Sequence, residues 1–165
     1  MSASPSAPPG APTAPSSPPT LRLVEPYLEG LLREVAETGR LLRELGLRVR
    51  SFYMGGGTPT TLPADQLDRL LSRCEDCLPL EGCGEYTVEA GRPDTISGEK
   101  LQTLARHGIG RISINPQTLQ SHVLEAIGRE HTTDDIRKAY GLAREVGFAS
   151  INMDLIAGLP QDSLD

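Results

Sequence analysis

The sequence predicts an α/β fold built on parallel strands, and two patterns carry that prediction. Helical and strand-like segments alternate with short connections in the order α-β-α-β-α-β-α-α-β, which calls for a parallel sheet with helices outside it. Three of the four strand segments also alternate apolar with polar residues, so each has a helix-facing side and a wet side.

Residues 1–20 hold seven of the 14 prolines and no charged residue. Pro, Ala and Ser at this density cannot bury a core, so a disordered tail is expected there. From Pro26 the pattern turns helical: Val24, Leu28, Leu31, Leu32, Val35, Leu42 and Leu45 fall near i, i+3/i+4 spacing, and Gly46 ends the run. "RVRSFYM" (48–54) reads as a strand halted by Gly55–Gly57. Pro63 starts a second helix with Leu67, Leu70, Leu71 and Cys74 on one face. "EYTVEA" (85–90) is the second strand, and Ser97 caps a helix that stops at Gly108. "RISIN" (111–115) is the third strand. Ser121 and the Thr132/Thr133 pair are expected to cap two more helices, the second ending at Gly147. "ASINMDLIAGLP" (149–160) is the fourth strand running into a Gly-Pro turn.

Along these strands Tyr86 and Val88 oppose Thr87 and Glu89, Ile112 and Ile114 oppose Ser113 and Asn115, and Ile151, Met153 and Leu155 oppose Asn152 and Asp154. The apolar sides can take the helices. The polar sides then line a barrel lumen, or they face solvent in an open sheet.

The chain of 165 residues has a formal net charge of -6, 38% hydrophobic residues and no basic block. Length suggests one domain or part of one. The charge excludes attraction to nucleic acid or an anionic membrane surface. No run of 18 apolar residues is present, and neither a basic start nor an apolar signal region precedes the folded part, so a cytoplasmic setting is expected. Three cysteines, Cys74, Cys77 and Cys83, argue against a disulfide framework.

Gly55–Gly57 stands between a strand and a helix, where bare backbone can approach a ligand. No Gly-Lys-Ser/Thr follows, so it is not a Walker-type phosphate loop, and on its own a plain tight turn explains it equally well. The wider wording narrows this. "YMGGGTPTTL", "VEAGRPDTI", "GIGRISINPQT", "AIGREHT" and "INMDLIAGLP" follow in this order at fitting distances. Together they resemble the radical S-adenosylmethionine (radical SAM) superfamily. Within it they are most similar to the oxygen-independent coproporphyrinogen III oxidase group, in its coproporphyrinogen dehydrogenase, HemZ-like branch.

The resemblance implies a partial (β/α)6 barrel over residues 21–165. It implies SAM as a cofactor, a tetrapyrrole substrate, and oxidative decarboxylation of propionate side chains in haem synthesis. It places the SAM amino group at Gly55, Gly56, Gly57, Thr58 and Pro59, and a SAM-contacting carboxylate at Glu89. Gln117 matches the ribose-binding glutamine, Arg129 the arginine that meets the SAM carboxylate, Asp154 the carboxylate beside the ribose, and Ala157 the backbone offered to adenine. His107, His122 and His131 match no family ligand and are expected at the surface. A haem chaperone of the same superfamily, or a non-enzymatic remnant that binds SAM or a protein, are the alternatives.

One departure stands out. The family holds a [4Fe–4S] cluster on Cys-x3-Cys-x2-Cys, which this sequence lacks; its cysteines spell Cys74-x2-Cys77-x5-Cys83 and read as incidental thiols. With the Pro/Ser tail in place of the first family strand and the chain stopping at Asp165, an interior fragment without the first and last barrel strands is expected.

Overall fold

The computed structural model describes residues 21–163. The expected disordered tail, residues 1–20, lies outside the described residues. Nine principal elements follow in the expected order: α1 (Leu21–Glu44), β1 (Ser51–Met54), α2 (Ala64–Cys77), β2 (Glu85–Gly91), α3 (Gly98–Arg106), β3 (Arg111–Gln117), α4 (Ser121–Ala126), α5 (Thr133–Val146) and β4 (Ser150–Leu155).

Local chemistry accounts for most of the boundaries. Pro26 lies inside α1, in its second turn, where the ring removes one backbone hydrogen bond near the helix start. Ser97 caps α3 by accepting the Lys100 N–H. Thr132 and Asp135 form a reciprocal capping box on α5, which ends at a left-handed Gly147. Ser121 does not cap α4. It is the first helical residue, and Gln120 holds the cap position without a side-chain cap bond. The reason is tertiary: Gln120 Oε1 accepts the Ser163 N–H at 3.3 Å while its Nε2 donates to Asp162 Oδ1 at 3.1 Å. β1 is also shorter than expected. Residues 48–50 run beside the segment that follows α2, with Val49 N–H donating to the Pro79 carbonyl.

The four strands pair in sequence order, β1-β2-β3-β4, all parallel. An order without reversal sends every right-handed crossover to the same face, as in a barrel wall; a doubly wound sheet would place helices on both faces. The core confirms the one-sided arrangement. Val88, Ile112 and Ile114 pack against Leu71 of α2, Leu101 and Leu104 of α3, and Ala139 and Ala143 of α5. Each fully buried Leu or Ile contributes about 1.5–3 kcal/mol. A second cluster joins Leu28 and Leu32 of α1 to Leu70 and Cys74 of α2. The open-sheet alternative and the barrel lumen share the other face, which is polar and carries no helix among the described residues. Two register shifts interrupt the ladders, at Glu89/Gly91 and at Ile114/Gln117. Among the described residues, no helix is long and apolar enough to cross a membrane.

Candidate functional site

The polar sides of all four strands meet in one hydrogen-bonded line. Tyr53 Oη of β1 reaches Glu89 Oε2 of β2 at 3.5 Å. Asn115 Nδ2 of β3 donates to Glu89 Oε1 at 2.6 Å. Ser113 Oγ donates to Asn115 Oδ1 at 3.0 Å and lies 3.5 Å from Asp154 Oδ2 of β4. Asn152 Nδ2 donates to Asp154 Oδ1 at 2.7 Å. These contacts follow from register, since Glu89 stands beside Ser113 and Ser113 beside Asn152. Partial desolvation, and then the Glu89 charge, hold the Tyr53 hydroxyl above its ordinary pKa. Glu89 and Asp154 each keep unused lone pairs, so the line can still accept hydrogen bonds from a cationic or hydroxylated ligand.

Gly55–Gly57 closes this line at the end of β1. A Cβ on Gly55 would sit 2.5 Å from the Tyr53 ring and 2.9 Å from Glu89 Oε2. Only glycine lets the loop cross the carboxylate this closely. Thr58 follows and packs on Gly91, whose φ of +65° suits glycine and whose Cβ would lie 2.8 Å from Thr58 Cγ2. Pro59 is buried and opens a single 3₁₀ turn, Pro59–Thr61. Beneath it Thr60 Oγ1 donates to the Ala90 carbonyl and lies 2.6 Å from Thr95 Oγ1. Lys100 Nζ donates to the Thr60 carbonyl at 2.5 Å and the Thr95 carbonyl at 3.0 Å. Burial lowers the Lys100 pKa. Its ammonium straps the glycine loop to the turn after β2, a tie that no local sequence pattern announces.

At the end of β3, Gln117 adopts φ +70°, a left-handed conformation that costs a non-glycine residue about 1–3 kcal/mol. Its carbonyl accepts the Ile156 N–H at 2.9 Å, which brings it beside the exposed Ala157. Arg129 is half-buried, and its guanidinium has no hydrogen bond or ion pair among the described residues. Glu89 and Asp154 are thus joined through Asn115 and Ser113, Gly55 touches Glu89, and Gln117 is tied to the segment of Ala157. Arg129 makes no hydrogen bond or ion pair with these residues. Ser113, Asn115 and Asn152, read from sequence only as polar-face residues, and Tyr53, which sequence did not single out, join the site.

Two histidines are not where they were expected. His131 is buried, with 2% exposure, and His107 is mostly covered, its ring nitrogens 3.0 Å from Asp68 Oδ1 and 2.9 Å from Glu75 Oε1. Both are covered by partners distant in sequence. His122 is exposed, as expected.

The donor set does not fit an iron–sulfur cluster. Among the described residues, no three His, Cys, Asp or Glu side chains converge as a metal site. Cys74 is buried among leucines, and burial pushes its thiol pKa up to about 11, away from the thiolate a cluster needs. Cys74 and Cys77 end α2 and Cys83 precedes β2, at the opposite end of the sheet from Gly55–Gly57.

The family profile described as the radical SAM superfamily matches residues 18–165. The chain is 45% identical over 139 residues to "Oxygen-independent coproporphyrinogen-III oxidase-like protein HemZ" of Bacillus subtilis, covering 84% of this chain and 28% of that protein. It is 38% identical over 142 residues to the heme chaperone HemW of the same organism, covering 86% and 37%. The solved structure of coproporphyrinogen III oxidase (HemN) from Escherichia coli, titled a radical SAM enzyme, superposes with a TM-score of 0.78 at 30% identity, covering 88% of this chain and 33% of that one. The chain therefore spans about a third of the length of the relatives it matches.

Proposed function

The chain belongs to the radical SAM superfamily, and from that premise we propose that residues 21–165 form a SAM-binding part of an oxygen-independent coproporphyrinogen III oxidase. The proposed overall reaction is oxidative decarboxylation of coproporphyrinogen III to protoporphyrinogen IX, with the tetrapyrrole as substrate. The observation behind this reading is the polar line Tyr53–Glu89–Asn115–Ser113–Asp154, which ends under the glycine loop, where Gly56 and Gly57 have open space on their side-chain side among the described residues.

In this superfamily SAM supplies a 5′-deoxyadenosyl radical. This chain's residues bind and orient the cofactor. Carbonyls of Gly55–Gly57, the Thr58 hydroxyl and the free lone pairs of Glu89 suit an ammonium group at close range. Pro59 stiffens the turn that presents them. Arg129, whose guanidinium has no hydrogen bond or ion pair among the described residues, suits the SAM carboxylate through a bidentate contact. Asp154 can accept from ribose hydroxyls, Gln117 can meet the same ribose from β3, and the exposed backbone of Ala157 is available to adenine. The three thiolates a cluster requires are not brought together by the described residues, so those residues are assigned cofactor binding only.

Calorimetry tests the reading. Without a metal anchor for the amino and carboxylate groups, SAM should bind with a Kd weaker than about 0.1 mM, worth less than about 5.5 kcal/mol. Glu89→Gln and Asp154→Ala should each weaken it about tenfold or more. Tight binding that survives Asp154→Ala contradicts the assignment. A second reading, a haem chaperone, has the 38% identity to the Bacillus chaperone behind it. Titration separates the two: saturable one-to-one binding of haem favours the chaperone, and binding of coproporphyrin without haem favours the oxidase.

A further inference from the structure

His131 lies between α4 and α5 with its side chain enclosed. Buried ring nitrogens are bonded as a rule, yet only one of these is. Nε2 stands 3.2 Å from the Pro116 carbonyl, and Nδ1 has no hydrogen-bond partner among the described residues. The nearest carboxylate oxygen, Asp94 Oδ1, is 3.9 Å from Nδ1 and is engaged by Arg92, whose Nε and Nη2 donate to Asp94 at 3.1 and 2.9 Å. A carbonyl only accepts, so Nε2 carries the proton. An unpartnered buried nitrogen is costly, so packing alone does not call for an imidazole here. The bond to Pro116 is what the imidazole adds.

That bond falls at a sensitive place. Pro116 precedes Gln117, whose left-handed φ of +70° coincides with the break in the β3/β4 register. The Gln117 peptide is held from both sides: His131 grips the carbonyl before it, and Ile156 N–H grips its own. The same histidine sits two residues after Arg129, whose N–H donates to the Leu124 carbonyl, and one before Thr132, which caps α5. The 129–132 segment is therefore fixed against the end of β3.

We propose that His131 is a positioning residue: its Nε2–H clamps the Pro116 carbonyl, holds Gln117 in its left-handed conformation, and sets the spacing between Gln117 and Arg129. The functional part of this rests on the SAM-binding reading, in which those two residues meet the ribose and the carboxylate of one ligand.

The experiment compares the full chain with His131→Gln, which keeps a donor at the Nε2 position, and His131→Leu, which fills the volume without one. Amide exchange at Ile156, which bonds to Gln117, is followed together with SAM affinity by calorimetry. His131→Leu should speed exchange at Ile156 about tenfold relative to amides in the middle of β3, and should weaken SAM binding by a similar factor. His131→Gln should restore both. The proposal is overturned if His131→Leu leaves Ile156 unchanged, if it speeds exchange evenly through the sheet, or if His131→Gln is no better than His131→Leu. Should His131→Leu fail to fold, ¹⁵N spectra of the unaltered protein decide: a protonated Nε2 supports the clamp, and a bare Nε2 with protonated Nδ1 overturns it. If the unaltered chain binds no SAM, the reading of the site fails, while the exchange pattern and the tautomer still report on the clamp.

Discussion

The two faces of the sheet follow different rules, although they alternate residue by residue along the same strands. On the helix-facing side Val88, Ile112 and Ile114 are fully buried against α2, α3 and α5. On the other side Glu89, Asn115, Ser113, Asn152 and Asp154 bond to one another across the strands, and no helix covers them among the described residues. The first face is held by buried area, which has no direction. The second is held by directed bonds that leave acceptors to spare. Substitutions one residue apart along a strand should therefore act differently, on packing at one face and on the directed bonds at the other.

Four substitutions probe the two faces, in falling order of expected effect. The largest effect is expected on the apolar face: Ile112→Ala should cost about 2–5 kcal/mol in urea unfolding, through lost transfer energy and a residual cavity. A cost below about 1 kcal/mol would mean that the helices are not packed as described. Lys100→Met comes next, because Lys100 ties the glycine loop to the turn after β2. Losing charged donors to the Thr60 and Thr95 carbonyls should cost about 2 kcal/mol and raise exchange at residues 55–61, whereas unchanged exchange there would remove the strap. Asn115→Ala should change stability by no more than about 1 kcal/mol while weakening SAM binding at least about tenfold. An equal loss of both would erase the distinction between the faces.

The smallest effect is on the outside of the helices. The His107 hydrogen bond, and then Arg106, hold the Asp68 carboxyl below its ordinary pKa. A folded pKa below the unfolded one contributes stability above about pH 4, lost as pH falls through the folded value. Asp68→Asn should therefore flatten the acid end of a melting-temperature profile below about pH 5. Parallel profiles for the two proteins would show that the His107 contact adds nothing.

What sequence made legible was the local and the periodic. The α5 start could be read at Thr132 because its partner, Asp135, is three residues away. The α4 start could not be read at Ser121, because Gln120 answers to Asp162 across the fold. Alternation pointed Glu89, Asn115 and Asp154 to one side, and the resemblance supplied their expected roles. That Asn115 and Ser113 connect the two carboxylates depends on the β2/β3/β4 register, which no single strand reveals. The histidines show the same limit. His131 is covered by a carbonyl 15 positions back and His107 by a carboxylate 39 positions back, and neither tie leaves a trace in neighbouring residues.

The C-terminal ends of β1 to β4, on the polar face, are proposed to form the SAM site. An NMR titration of the isotope-labelled chain with millimolar SAM tests it directly. Shift changes should concentrate at Gly55–Gly57, Glu89, Asn115, Gln117, Arg129, Asp154 and Ala157, leaving Cys74, Cys77 and Cys83 unmoved at the other end of the sheet. Changes centred on the cysteine end, or none at all at saturating concentration, would contradict it.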